Sequence, residues 1–192
     1  MTRLHPAAIL FLLLLNACAL SPQTVVIDPE LSVVTQGTGG KDIRLSLEVV
    51  DPRTTDVIGQ RGGVYKTTSD IRTDPGMTAT LRKKLATAFG NLGYQVVTPD
   101  EAARARLLVE IAELTYVAHQ EELIDTIETR VVIRTTCWKG SEQYGSTYRV
   151  THKKEVIKAP SEEKNEELVN NVIARALDKM LSDGELIAFI DG

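Results

Sequence analysis

From Leu107 to Lys158 the chain alternates apolar and polar residues through three successive stretches. Period-two patterning on that scale demands a sheet with one buried face. The first stretch, Leu107 to Ala118, is apolar at Leu107, Val109 and Ile111, then changes phase to Leu114 and Tyr116. Successive strand side chains point to opposite faces, so this switch predicts a β-bulge near Ala112 or Glu113. The second, Thr126 to Trp138, sets Ile127, Val131, Ile133 and Cys137 on one face and Glu128, Arg130 and Arg134 on the other, together with Val132 and Trp138. Gly140 to Gln143 reads as a turn. Tyr144, Tyr148 and Val150 share a face of the third stretch, which runs to about Lys158.

Shorter strands precede these. Thr24 to Ile27 is an edge strand closed by Asp28-Pro29, followed by a loop through Gly37-Thr38-Gly39-Gly40. Lys41 to Val50 alternates as a half-buried strand and stops at Asp51-Pro52-Arg53. Val57 to Ile71, with Gly59 and Gly62-Gly63 inside it, suggests a hairpin or bulged pair. Asp74-Pro75 then has the chemistry of a helix start. Met77, Leu81, Leu85, Ala88, Phe89 and Leu92 form one helical face, and Gly93 supplies a left-handed stop. Tyr94 to Val97 returns as a strand, and Pro99 to Arg106 is a loop with room for one helical turn. Pro160-Ser161 opens a second helix, whose acidic first half suits the helix dipole. Its apolar pairs recur every four residues, from Leu168/Val169 to Met180/Leu181. Ser182-Asp183-Gly184 ends it, and Glu185 to Ile190 adds a short turn. The expected architecture is α+β: a mostly antiparallel sheet of five to seven strands packed by two amphipathic helices.

The N-terminus is of another kind. Arg3 precedes an unbroken apolar run of nine, Ala7 to Leu15. As a helix this run spans only about 14 Å, half of a hydrocarbon core, so it fits a secretory leader and not a membrane span. Leu15-Asn16-Ala17-Cys18 resembles the lipobox of bacterial lipoproteins, in which the cysteine thiol is alkylated by a diacylglyceryl group before cleavage. Asn16 departs from the usual small residue at its position. Residues 1–17 are then a signal peptide, 18–23 a lipidated terminus and tether, and 24–192 a single periplasmic α+β domain. Several acyl chains on Cys18 hold a protein durably, since burial contributes about 0.8 kcal/mol per methylene. Ala19 is not the Asp associated with inner-membrane retention, so in a Gram-negative host the outer membrane is expected, with the domain facing the periplasm.

Composition narrows the function. Net charge is −4, and −5 once Arg3 leaves with the signal. An acidic chain with 5% aromatics lacks the basic patches that neutralise phosphates, so no nucleic-acid partner is expected. His119 and His152 lie on different strands without metal-ligand spacing, so neither metal nor cofactor is expected. Nucleophile-elbow, P-loop and dinucleotide motifs are lacking, and no catalytic residue is assigned. Cys137, the one thiol besides Cys18, is phased with the buried face as an inert core residue. The densest polar stretch holds Asp51, Arg53, Asp56 and Arg61. It reads either as a ligand-binding cluster or as a structural ion-pair turn.

The lipobox at Cys18, the strand ending in Asp51-x-Arg53, the helix from Leu81 closing with Leu92-Gly93-Tyr94, and the acidic-start helix followed by Phe189-Ile190 together resemble the YajG-type lipoproteins. These are bacterial lipoproteins with no assigned reaction. The resemblance implies envelope localisation and an α+β domain, and it carries over no active site. The expected role is a non-enzymatic binding or envelope-assembly factor, joined to the membrane through Cys18 and to an envelope protein partner. The alternative is a small ligand, glycan or lipid bound in a cleft near Arg53. A hydrolase using paired carboxylates ranks third, because their separation cannot be read from sequence.

Overall fold

The computed structural model describes residues 21–32, 40, 43–61, 69–119, 124–157 and 159–192. The leader, Cys18, the Gly37–Gly39 stretch, Gly62-Gly63 and Lys158 lie outside the described residues. Eight strands are β1 (Gln23–Val25), β2 (Arg44–Val50), β3 (Val57–Gln60), β4 (Asp70–Thr73), β5 (Gln95–Val97), β6 (Ala105–His119), β7 (Asp125–Lys139) and β8 (Glu142–Val156). Three helices are α1 (Met77–Asn91), α2 (Glu162–Leu181) and α3 (Gly184–Asp191).

The three long strands pair antiparallel in the order β6-β7-β8, and the β6–β7 register slips between Ile111 and Glu113, where the phase change places the bulge. The remainder corrects the expected topology. The sheet is mixed, with parallel pairs β1–β4, β2–β5, β2–β6 and β3–β6, and it has eight strands instead of five to seven. Among the described residues there are three helices instead of two, because Asp183 caps the residues after α2 into a helix of their own through Glu185 N–H and Leu186 N–H.

β6 is long enough to serve two partners along one side. Its first half pairs with β2 up to Val50–Glu110, and its second half pairs with β3 from Gly59–Tyr116. The sheet therefore forks: β5 extends it beyond β2, and β4 and β1 extend it beyond β3. Between Val50 and Gly59 the chain takes nine steps to cover six steps of β6, and the surplus loops out as residues 51–56. Gly59 is required at the join, since a Cβ there would lie 1.7 Å from the Tyr116 carbonyl oxygen.

All three helices lie on one face. The buried positions of α1 (Met77, Leu81, Leu85, Ala88, Phe89) and the paired positions of α2 meet Leu45, Leu47, Val109, Ile111, Val131 and Ile133 in one hydrophobic core. Helix α1 starts two residues later than Asp74-Pro75 suggests. Asp74 accepts from Gly76 N–H at 2.8 Å and from Ile27 N–H at 2.8 Å, so its side chain shapes the turn before the helix. The other end is a Schellman motif: Tyr94 N–H reaches the Phe89 carbonyl, Gly93 N–H reaches that of Gly90, and Gly93 has φ +99°. Tyr94 then packs edge-on against Phe89, with ring centroids 5.7 Å apart, and donates to Asp191 Oδ1 at 2.7 Å.

After β1 the extended segment 26–32 runs alongside α2 as a strap. The N–H groups of Val26, Asp28 and Ser32 donate to Glu166, Asn170 and Asp178, and Asn170 returns a bond to the Val26 carbonyl. The spacing explains the fit. Two extended residues advance about 6.6 Å and four helical residues about 6.0 Å, so alternate strap amides stay level with one row of the helix.

Candidate functional site

The sequence cluster Asp51, Arg53, Asp56 and Arg61 occupies the fork of the sheet and is divided there into three separate arrangements. Asp51 ends β2, and its Oδ1 accepts from Arg53 N–H at 3.2 Å, which turns the chain. The same carboxylate takes the guanidinium in bidentate fashion, Nε to Oδ1 and Nη2 to Oδ2, both at 2.7 Å. Nη2 also donates to Thr73 Oγ1 at 3.3 Å, at the end of β4. The pair is enclosed: the Arg53 side chain is 8% exposed and that of Asp51 22%. Arg53 Nη1 is buried without an acceptor. A shallow cavity of about 670 Å³ borders the pair and is lined also by Val49, Thr55, Pro75 and Met77.

Asp56 is turned the other way. Its carboxylate pairs with Arg72 at 2.8 Å, and Arg72 also bridges to Asp70 at 2.9 Å. Its backbone carbonyl accepts from Thr73 N–H, which ties the loop to β4. Arg61 is carried along β3 to the far end, where Nη2 donates to the Pro160 carbonyl at 3.0 Å and Nη1 to that of Ser21 at 3.4 Å. Asp51 and Arg53 are thus brought together, while Asp56 and Arg61 belong to their surroundings. The arrangement can hold the 51–56 loop rigid and present one oriented guanidinium edge beside a shallow groove.

Other polar centres were not visible as sites in the sequence. A buried trio joins β1, β6 and α2: the Tyr116 hydroxyl donates to Asn165 Oδ1 at 2.7 Å, and the Asn165 and Gln23 amides meet at 2.6 Å. Burial drives the Tyr116 hydroxyl pKa up. Asp183 accepts from the Tyr148 hydroxyl at 2.6 Å and from Tyr144 at 3.3 Å. Burial alone would raise its pKa, but the Tyr148 hydrogen bond, the Leu186 and Glu185 amides and Tyr144 together hold it below the usual carboxylate value. Between the strap and α1 lies a larger groove of about 840 Å³, lined by Val26, Leu31, Lys83, Lys84 and Ala88 and crossed by a Lys84–Asp28 ion pair at 2.8 Å.

Cys137 is buried among core residues, and desolvation pushes its thiol up to about 11. His119 pairs across to Thr126 and His152 to Thr129, residues of opposite parity on β7, so the two imidazoles lie on opposite faces. Among the described residues, no three His, Cys, Asp or Glu side chains are grouped to hold a metal ion. Among them too, no helix is long and apolar enough to cross a membrane.

One known structure shares the fold at low identity. An uncharacterised protein aligns with a TM-score of 0.51 at 10% identity, covering 84% of this chain and all of that one. A protein from Xanthomonas campestris aligns at 0.47 and 15% identity, covering 90% of this chain and 94% of its own. A lipoprotein of Neisseria meningitidis aligns at 0.33 and 10%, covering 83% and 98%. The first is a likeness of fold alone, and the other two are too distant to bear on the chain. No curated protein matches it. The model of an uncharacterised lipoprotein family matches residues 29–191, nearly the whole length of the fold, and the chain belongs to that family of bacterial lipoproteins.

Proposed function

We propose that the chain is an outer-membrane lipoprotein, anchored by acyl chains on Cys18, whose periplasmic domain works as a non-enzymatic binding or envelope-assembly factor with a protein partner. The observation that supports this reading is the face of β6-β7-β8 turned away from the helices. It carries cross-strand ion pairs in sequence, Glu110–Arg134 at 3.8 Å, Glu113–Arg130 at 3.3 Å and Glu128–Lys153 at 3.0 Å. Val132 is buried beneath them, and Trp138 is half-buried toward one end. A flat face of interleaved charges over a small apolar centre is suited to a protein surface of matching pattern, where the charges set register and association rate.

The test is photo-crosslinking in intact cells from Thr136 and Arg149 on this face, with Arg175 on the outer side of α2 as the control. A defined protein captured from the first two positions and not from the third supports the reading. Equal capture from all three, or none from any, removes the sheet face as the contact surface. A Cys18→Ser form still exported by its signal shows whether capture needs the anchor.

The second reading places a small ligand, a glycan or a lipid beside Arg53. It is favoured by the buried, unpaired Nη1 and the adjoining groove. It predicts that an Arg53 substitution lowers ligand retention while the unfolding transition stays in place.

A further inference from the structure

The register of the sheet fixes the end of the molecule toward which the chain before β1 runs. β1 pairs parallel to β4 with Gln23 opposite Ile71, Ile71 lies opposite Gly59, and Gly59 lies opposite Tyr116. β1 thus runs antiparallel to β6, and the chain preceding Gln23 heads toward the end of the sheet at which β6 finishes. Ser21 is held there, its carbonyl accepting from Arg61 Nη1. Ser21 is only three residue steps from Cys18, a reach of about 11 Å at most. That reach confines Cys18 to the neighbourhood of this end of the sheet, the level just beyond His119. Continuing the β7–β8 ladder one pair past Asp125–Val156 sets Ile124 opposite Ile157 at this same level.

These side chains are unusual for the surface. Ile157 is 89% exposed, and Ile124 and Val117 are each 44% exposed. Among the described residues they are three of the four large apolar side chains left in the open, and all three are at this end. Lys154, three residues before Ile157, is exposed there too. Among the described residues, the helix that follows Ile157 begins only after Ser161 and turns its apolar face inward.

We infer that this end of the sheet is a membrane-contacting tip: Ile157 and Ile124, with Val117 behind them, rest in the interfacial layer of the bilayer that holds the Cys18 acyl chains. The occupant is the lipid surface because the tether is too short to allow another body between it and the tip. Lysines at that depth reach headgroup phosphates while their stems cover apolar surface. The β6-β7-β8 strands then stand away from the membrane, and their Gly140 turn is the distal point. The inference rests on the lipidated Cys18 of the proposed function and not on any partner.

The test uses the full lipidated protein in phosphatidylethanolamine–phosphatidylglycerol vesicles containing acyl-chain nitroxide lipid. An environment-sensitive fluorophore is attached at Glu155→Cys near the tip or at Glu142→Cys at the start of β8, about 40 Å away along the strand. Cys137 is enclosed and Cys18 is consumed by its thioether, so labelling is confined to the new thiol. The tip label should lose emission and shift to the blue, and the distal label should behave as it does without vesicles. Ile124→Glu with Ile157→Glu should then restore emission at position 155 while leaving far-ultraviolet circular dichroism unchanged. Equal behaviour of the two labels, quenching of the distal label, or insensitivity to the paired glutamates each overturns the inference. An intact mass lacking the acyl chains on Cys18 overturns the anchor itself, which is a separate failure from an unquenched tip on an acylated protein.

Discussion

Replacing Arg53 by methionine removes a guanidinium whose side chain is 8% exposed and leaves its Asp51 partner, 22% exposed, without a counter-charge. Breaking a buried pair from one side typically costs about 3–5 kcal/mol, because the remaining charge is stranded. Two features of this pair reduce the figure. Asp51 retains some contact with water and keeps the residue-53 N–H as a donor. The methionine also removes Nη1, a buried donor with no acceptor, whose penalty in the native protein is about 1–3 kcal/mol. Arg53→Met should therefore cost about 2 kcal/mol. Asp51→Asn keeps the turn acceptor but strands the more deeply buried partner with Nη1 still unpaired, so it should cost more, about 3–5 kcal/mol. The double variant should lie close to Arg53→Met alone, so the coupling between these neighbours equals the whole Asp51→Asn loss, about 3–5 kcal/mol. Urea unfolding of the mature chain carrying Cys18→Ser, followed by circular dichroism, measures all four corners of this cycle. Additive losses, or a methionine variant less stable than the asparagine one, would refute the argument that the pair is a closed structural unit. A methionine variant of unchanged stability that loses ligand would make Arg53 a binding residue.

Three further outcomes follow from the geometry. Gly93→Ala forces a Cβ into φ +99° at the Schellman turn and should cost about 1–2 kcal/mol, read as a lower urea midpoint at unchanged m. Cys137, with its thiol raised to about 11, should resist maleimide at pH 7 in the native protein and react fully in urea; rapid native labelling would contradict its enclosure. The Asp183 pKa lies lower folded than unfolded, so its contribution is present above the usual 3.8 and disappears as pH falls through the folded value. Asp183→Asn should accordingly weaken the protein at pH 7, and the difference from wild type should shrink on acidification below about pH 4; a constant gap would show that the carboxylate charge is irrelevant there.

The long strands, the bulge, the stop of α1 at Gly93 and the start of α2 at Ser161 were legible because each is written in local spacing. The strand directions were not. Parallel strands ordinarily carry continuous apolar runs, since helices cover both faces of the sheet. Here helices cover one face, so β2 alternates Leu45, Leu47 and Val49 with Arg44 and Glu48, and it reads as though it belonged to an antiparallel pair. The polar cluster was legible only in part for a related reason. Asp51 and Arg61 are only ten positions apart in sequence, but β3 is extended and draws Arg61 away, while the partner of Asp56, Arg72, arrives on β4. The strap left a trace in Glu166, Asn170 and Asp178, a row with helical spacing. Those residues read equally well as a solvated helix face, because their acceptors serve amides some 140 positions earlier.

That separation bears on how the chain is completed. A polypeptide delivered N-terminus first presents β1 and the strap before anything that can receive them: Glu166, Asn170 and Asp178 arrive some 140 residues later. Closing so long a loop is slow, and β1 offers only three residues of pairing to hold its place meanwhile. The strap must therefore wait without these acceptors until α2 has emerged and lain down on the sheet. Any factor that guards a nascent lipoprotein has this interval in which to recognise it, and the seating of residues 26–32 against α2 marks the moment when that opportunity ends.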